Sequence, residues 1–154
     1  MGAQGATRLT ATARAKGLWI LALVANALGW VLPVIEDDQR VYRGVHAFRV
    51  GLSPLWPYEQ FHIPAGYMMW LSVASALTNL VFIVMALCLW PRVARATASR
   101  AGVFVLGAAA LLNLHWTVTM RGNAADLAIG YYVWVVSFVL LLLAVHPALA
   151  ARPR

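Results

Sequence analysis

Cysteine is almost missing from this 154-residue chain: Cys88 stands alone, so no disulfide can form within it and no CxxC pair exists to hold a metal. Cys88 falls inside an apolar run, where a buried, unreactive thiol is the expectation. Charge is scarce as well. Only 11 % of residues are charged, against about 25 % in an ordinary soluble domain. Acids number just five. A Gly-rich phosphate loop, HExxH and GxSxG are all lacking. With few nucleophiles and no acid–base pair, the chain is not expected to be an enzyme. No low-complexity segment interrupts it, and no metal site is expected.

What is abundant is apolar surface. Hydrophobic residues make up 62 % of the chain, above the roughly 45–50 % of soluble domains. They gather in four runs, Leu18–Ile35, Tyr67–Trp90, Ala101–Met120 and Ile129–Pro147, and none of these holds Asp, Glu, Lys or Arg. Each is about 18–24 residues long, enough to cross some 30 Å of hydrocarbon at about 1.5 Å per residue. In lipid every backbone polar group must be satisfied within the segment, which selects helix. The absence of an embedded carboxylate, Lys or Arg argues against a proton relay or coupled transporter.

The basic balance, net +7, reads as topology rather than nucleic-acid binding. Arg8, Arg14, Lys16, Arg92, Arg95, Arg100, Arg152 and Arg154 fall on one side of a four-pass chain, with no acid among them. The other side carries Arg40, Arg43, Arg49 and Arg121 together with all the acids, Glu36, Asp37, Asp38, Glu59 and Asp126. Eight basic residues against four, in short loops, place both termini in the cytoplasm. The first run continues to Ile35 and into Glu36-Asp37-Asp38 without a small-x-small site, so an uncleaved anchor is expected rather than a signal peptide. Residues 1–17 read as a mobile basic tail, and 148–154 as a second cytoplasmic tail.

The expected fold is therefore all-α: an integral membrane four-helix antiparallel bundle, helices about 18–35, 67–90, 101–120 and 129–147, with an outer loop over 36–66. In that loop Val41, Val45, Phe48 and Leu52 recur at helical spacing, predicting a short amphipathic helix. Pro54, Pro57 and Pro64 interleave with Trp56, Tyr58 and Phe61, as interfacial aromatics do. Trp90-Pro91 is expected to end the second helix, and Asp126 to cap the fourth.

Polar residues inside the runs are the candidate functional groups. Asn26, Ser72, Ser75, Asn79, Gly102 and Ala109 read as interhelical packing and hydrogen-bonding positions. Asn79, Asn113 and Trp116 are candidates for an outward pocket. His115 lies toward the outer end of the third run and His62 before the second; a neutral imidazole there is a candidate ligand for haem or a chlorin, although no cofactor is predicted. The leading expectation is a non-catalytic accessory or structural subunit of a larger membrane complex, in a bacterial inner membrane, meeting lipids and other membrane subunits or its own copies, and no nucleic acid. A small transporter, channel or ligand-binding membrane protein is the first alternative. A haem- or chlorin-binding electron-transfer or light-harvesting component using His115 is the second.

Overall fold

The computed structural model describes residues 2–37, 40–58, 66–119 and 126–146. The chain is mostly helical. In order it forms α1 (Gly2–Val31), β1 (Pro33–Asp37), β2 (Arg40–Arg43), α2 (Gly44–Gly51), α3 (Tyr67–Ala94), α4 (Arg100–Leu114), α5 (Trp116–Thr119), β3 (Asp126–Leu127) and α6 (Ile129–Ala144). Two stretches are long and apolar enough to cross a membrane: α3, and Arg100–Thr119, which α4 and α5 make up together. Helix α6 is apolar but has 16 residues, about 24 Å at the helical rise.

The long helices pack antiparallel to their neighbours, as named contacts at both ends establish. Gly29 meets Trp134 while Asn26 bonds Ser137, so α1 and α6 run oppositely. Trp19 stacks on Trp90 and donates from Nε1 to the Ala86 carbonyl (3.1 Å), placing the middle of α1 beside the last turns of α3. Gly102 faces Leu89 and Asn113 bonds Ser75, which sets α3 against α4. Ser99 N donates to Val145 O (3.0 Å), and Tyr131 OH donates to Asn113 O, which sets α4 against α6. The first and last helices are thus neighbours, and α6 sits between α1 and α4. Phe82 and Phe138 meet edge to face in the middle, centroids 5.2 Å apart, with Leu106 and Leu141 fully buried beside them.

One end of this assembly carries a small sheet of order β2-β1-β3. β1 pairs antiparallel with β2 (Glu36 opposite Val41) and with β3 (Glu36 opposite Asp126). The link to β3 ties the exit of α1 to the entry of α6. Gly44 and Gly130 allow the approach: a Cβ on either would fall on a backbone carbonyl oxygen, that of Gly29 or Pro33. The opposite end holds Arg92 in the last turn of α3, Arg95 just after it and Arg100 at the start of α4.

Several expectations are corrected here. The fold is mostly helical, as expected, but a short three-stranded sheet adds a β element that was not expected. The first helix does not run 18–35: it begins at Gly2, so the tail is helical, Ala, Arg and Lys there being good helix formers. It ends at Val31, since Pro33 has no N–H and restricts Leu32 before it. The loop helix is α2, starting after β2. Val41 therefore lies on a strand, Val45 is exposed, and Phe48 packs on Trp30 (5.1 Å). Pro91 does not end α3, which continues to Ala94. Its last turn is closed from outside by Ala96 N to Val93 O and Thr97 N to Arg92 O, with Ala96 at φ 50°. The third helix breaks at His115, where the Asn113 carbonyl accepts the Tyr131 hydroxyl. Asp126 belongs to β3, and Ala128, whose side chain makes no capping bond, is the N-cap of α6. The fourth helix stops at Ala144 rather than 147.

Candidate functional site

The buried polar side chains form two clusters, and two further buried groups beside them lack a partner. In the first, between α1 and α6, Asn26 Nδ2 donates to Ser137 Oγ (3.3 Å) and Asn26 Oδ1 accepts from Trp30 Nε1 (3.2 Å). Ser137 in turn donates to the Trp134 carbonyl (2.6 Å). In the second, between α3, α4 and α6, Asn113 is the hub. Its Oδ1 accepts from Ser75 Oγ (2.7 Å), and its Nδ2 donates to Thr78 Oγ1 (2.9 Å) and to Ala109 O (2.8 Å).

Between the clusters, Asn79 is 4 % exposed, and its Nδ2 donates to Ala76 O (3.1 Å) while its Oδ1 has no partner. Trp134 Nε1 is likewise buried without an acceptor. Asn79 and Trp134 precede Phe82 and Phe138 by about one turn on helices that run the same way. They therefore lie at a common level, a lone acceptor on α3 and a lone donor on α6. All these groups are amides, hydroxyls and indoles. They hold and orient, and none supplies a nucleophile with a base.

The positions singled out in the sequence are distributed unevenly over this interior. Asn26, Ser72, Asn79, Gly102, Ala109 and Asn113 are buried and Ser75 is half-buried. Asn26 pairs across to α6, and Asn79 does not join it. Ser72 donates to Met69 O and Gly51 O, and so seats α2 against α3. Trp116 is half-buried against the core. His115 is exposed, with Trp116 edge-on at 6.2 Å. His62 lies outside the described residues. Among the described residues no three His, Cys, Asp or Glu converge as a metal site. Cys88 is exposed, contrary to the buried thiol expected.

Sequence reasoning missed Ser137, Thr78 and Tyr131. Ser137 had a signal, as the one serine or threonine between Ile129 and Pro147. Tyr131 had none, because an aromatic at the mouth of an apolar run reads as an interface residue.

The outer surface is apolar as well as the interior. Bulky apolar side chains point outward on each long helix: Ile20 and Val24, Leu80 and Leu87, Phe104 and Leu111, Val136 and Leu143. Four exposed aromatics, Trp56, Tyr67, Trp70 and Tyr132, lie toward the sheet end, with Trp90 and Phe104 exposed toward the other. Comparison with protein-family models, with curated proteins and with solved structures gives no match.

Proposed function

We propose that the chain is an integral membrane protein whose four long helices form an antiparallel bundle in lipid, and that it serves as a non-catalytic accessory subunit of a membrane complex. One observation carries the reading: bulky apolar residues face out on every long helix while the asparagines and serines face in. A water-soluble helical domain has the opposite arrangement. Less than half of each of the two longest apolar stretches is buried in the molecule, which does not suit the core helices of a soluble fold. Helix α3, at 28 residues, spans about 42 Å, comparable with hydrocarbon plus headgroups. The shorter α6 is completed by the sheet, whose strands satisfy one another at the membrane surface.

Orientation follows from charge. Arg92, Arg95 and Arg100 mark the cytoplasmic end and the acid-bearing strands the outer end. The accessory role rests on interior chemistry: the hydrogen bonds of Asn26 and Asn113 end on their own neighbours. The apolar faces, with the clasped outer sheet, are what remain to meet other membrane chains. A small transporter or ligand-binding protein is a second reading, favoured by the lone Oδ1 of Asn79 and Nε1 of Trp134 at one level of the core.

Cell fractionation with mild-detergent extraction tests both. The chain is expected in the membrane pellet, and to come out in detergent with stoichiometric partner bands and no visible absorption. Recovery from the supernatant as a monodisperse species without detergent sinks the proposal. A Soret or chlorin band lost in His115→Ala replaces the accessory role with cofactor binding. In a Cys88→Ser background, Arg43→Cys and Ala98→Cys are expected to label from opposite sides.

A further inference from the structure

Arg49 sits in an unusual setting for a charged residue. Its Cζ lies 4.2 Å from the Trp56 ring centroid and 4.7 Å from that of Tyr58. Stacking of this kind engages the faces of a guanidinium and leaves its N–H edge for hydrogen bonds. Here the Nε on that edge is buried with no acceptor. Four residues on, Ser53 is 7 % exposed and its Oγ also has no partner. The backbone stays helical or turn-like from Arg49 to Ser53, with Leu52 N to Phe48 O and Ser53 N to Val50 O. Residues four apart on such a path project to one side. Among the described residues no carboxylate meets Arg49. Two hydrogen-bonding groups, one of them cationic, therefore share one place and lack an oxygen.

Depth identifies the oxygen, and on this point the inference rests on the membrane reading. The end of α2 lies against α3 at Gly51, where a Cβ would meet Ala76 Cβ at 3.0 Å and Ser72 O at 3.3 Å. Ser72 and Ala76 are five and nine residues into α3, about 8–14 Å from its outer end. The headgroup layer on one side is about 5–7 Å thick, so this contact lies a few ångströms inside the hydrocarbon, within an arginine side chain's reach of the headgroups. A guanidinium at that level needs counter-charge, because desolvating it without a partner is costly. Beside it Leu55 and Trp56 are 61 % and 59 % exposed, a surface for acyl chains.

We propose that Arg49 and Ser53, beneath Trp56 and Tyr58, form a binding site for the phosphodiester of a phospholipid in the outer leaflet. The Nε–H donates to one phosphate oxygen and the Ser53 hydroxyl to another, while the lipid's chains lie along Leu55 and Trp56. The two rings stacked on Arg49 belong to residues outside helix and strand.

The test uses the full chain, delipidated in mild detergent, with bound molecules counted by native mass spectrometry during titration. The probes are dioleoylphosphatidylglycerol, dioleoylglycerol, which lacks phosphate, and inorganic phosphate. Wild type is expected to hold one phosphatidylglycerol and no dioleoylglycerol. Arg49→Gln is expected to weaken retention about tenfold, as for a hydrogen bond to a charged group, and Ser53→Ala about threefold. Arg43→Gln, an exposed arginine on β2, is expected to stay within about twofold of wild type, its charge being screened by solvent. Arg49→Lys keeps the charge and loses the planar edge; retention between wild type and Arg49→Gln is expected, and it carries the test if Arg49→Gln fails to fold. Equal retention by wild type, Arg49→Lys and Ser53→Ala overturns the site, as does an equal loss in Arg43→Gln. Displacement of the lipid by millimolar inorganic phosphate overturns the lipid assignment in favour of a soluble anion. A chain that needs detergent but whose lipid ignores Arg49 ends this inference alone; a chain soluble without detergent ends the membrane reading as well.

Discussion

Asn113 and Asn79 are both buried amides on neighbouring helices, and their hydrogen bonds give opposite expectations for the same substitution. Asn113 makes three side-chain bonds, to Ser75, Thr78 and the Ala109 carbonyl. Asn113→Leu removes them and leaves the half-buried Ser75 hydroxyl without its acceptor, so destabilisation of about 1–3 kcal/mol is expected. Asn79 makes one bond and buries an unsatisfied oxygen. Asn79→Leu keeps the side chain's approximate volume while removing the lone acceptor, and is expected to be neutral or stabilising by about 1 kcal/mol. Thermal unfolding in detergent measures both. Losses of equal size would mean that Asn79 Oδ1 has a partner, and would favour the ligand-binding reading. Both asparagines were legible in the sequence as polar residues in apolar runs. Their difference was not, since it depends on which atoms of a neighbouring helix lie within reach.

At the scale of elements, two glycines beside or within α1 make an informative contrast. Gly17 lies inside the helix, and a methyl group added there would meet nothing within 4 Å, so Gly17→Ala is expected to gain about 0.5–1 kcal/mol through helix propensity alone. Gly44, at the start of α2, abuts the end of α1. Its substitution by alanine pushes a methyl into the Gly29 carbonyl and is expected to cost about 3 kcal/mol. Circular dichroism melts of the two variants should therefore move in opposite directions. The four long helices were readable because charge-free apolar runs of this length leave the backbone few alternatives. The sheet was hidden for a different reason. Pro33–Ile35 looks like the end of an apolar run, and β3 is two residues long, too short to display a period of two. Its pairing with β1 spans most of the chain, which no local pattern encodes. The helical tail was hidden because it lacks the apolar stripe by which a helix is usually recognised.

At the scale of the molecule, short connections put α3 beside α4 and bring α6 back alongside α4, and so much the sequence made plain. The placement of α1 against α6 closes the set by contacts between residues more than a hundred apart, Asn26 with Ser137 among them. This is why the candidate site was recoverable as a list of buried polar residues and not as clusters. Adjacency of the first and last helices also makes the order in which the four are strung together a matter of convenience. A gene that fuses the C-terminal tail to Gly2 through a flexible linker, and starts instead at Ala98, would encode a circular permutant with the same neighbours, its new start beside the close of α6 where Ser99 N donates to Val145 O. Such a permutant is expected to insert, and to melt within about 2 kcal/mol of the parent. If it does, residues 97–98 become an attachment point where a reporter domain can be spliced in without disturbing either terminus.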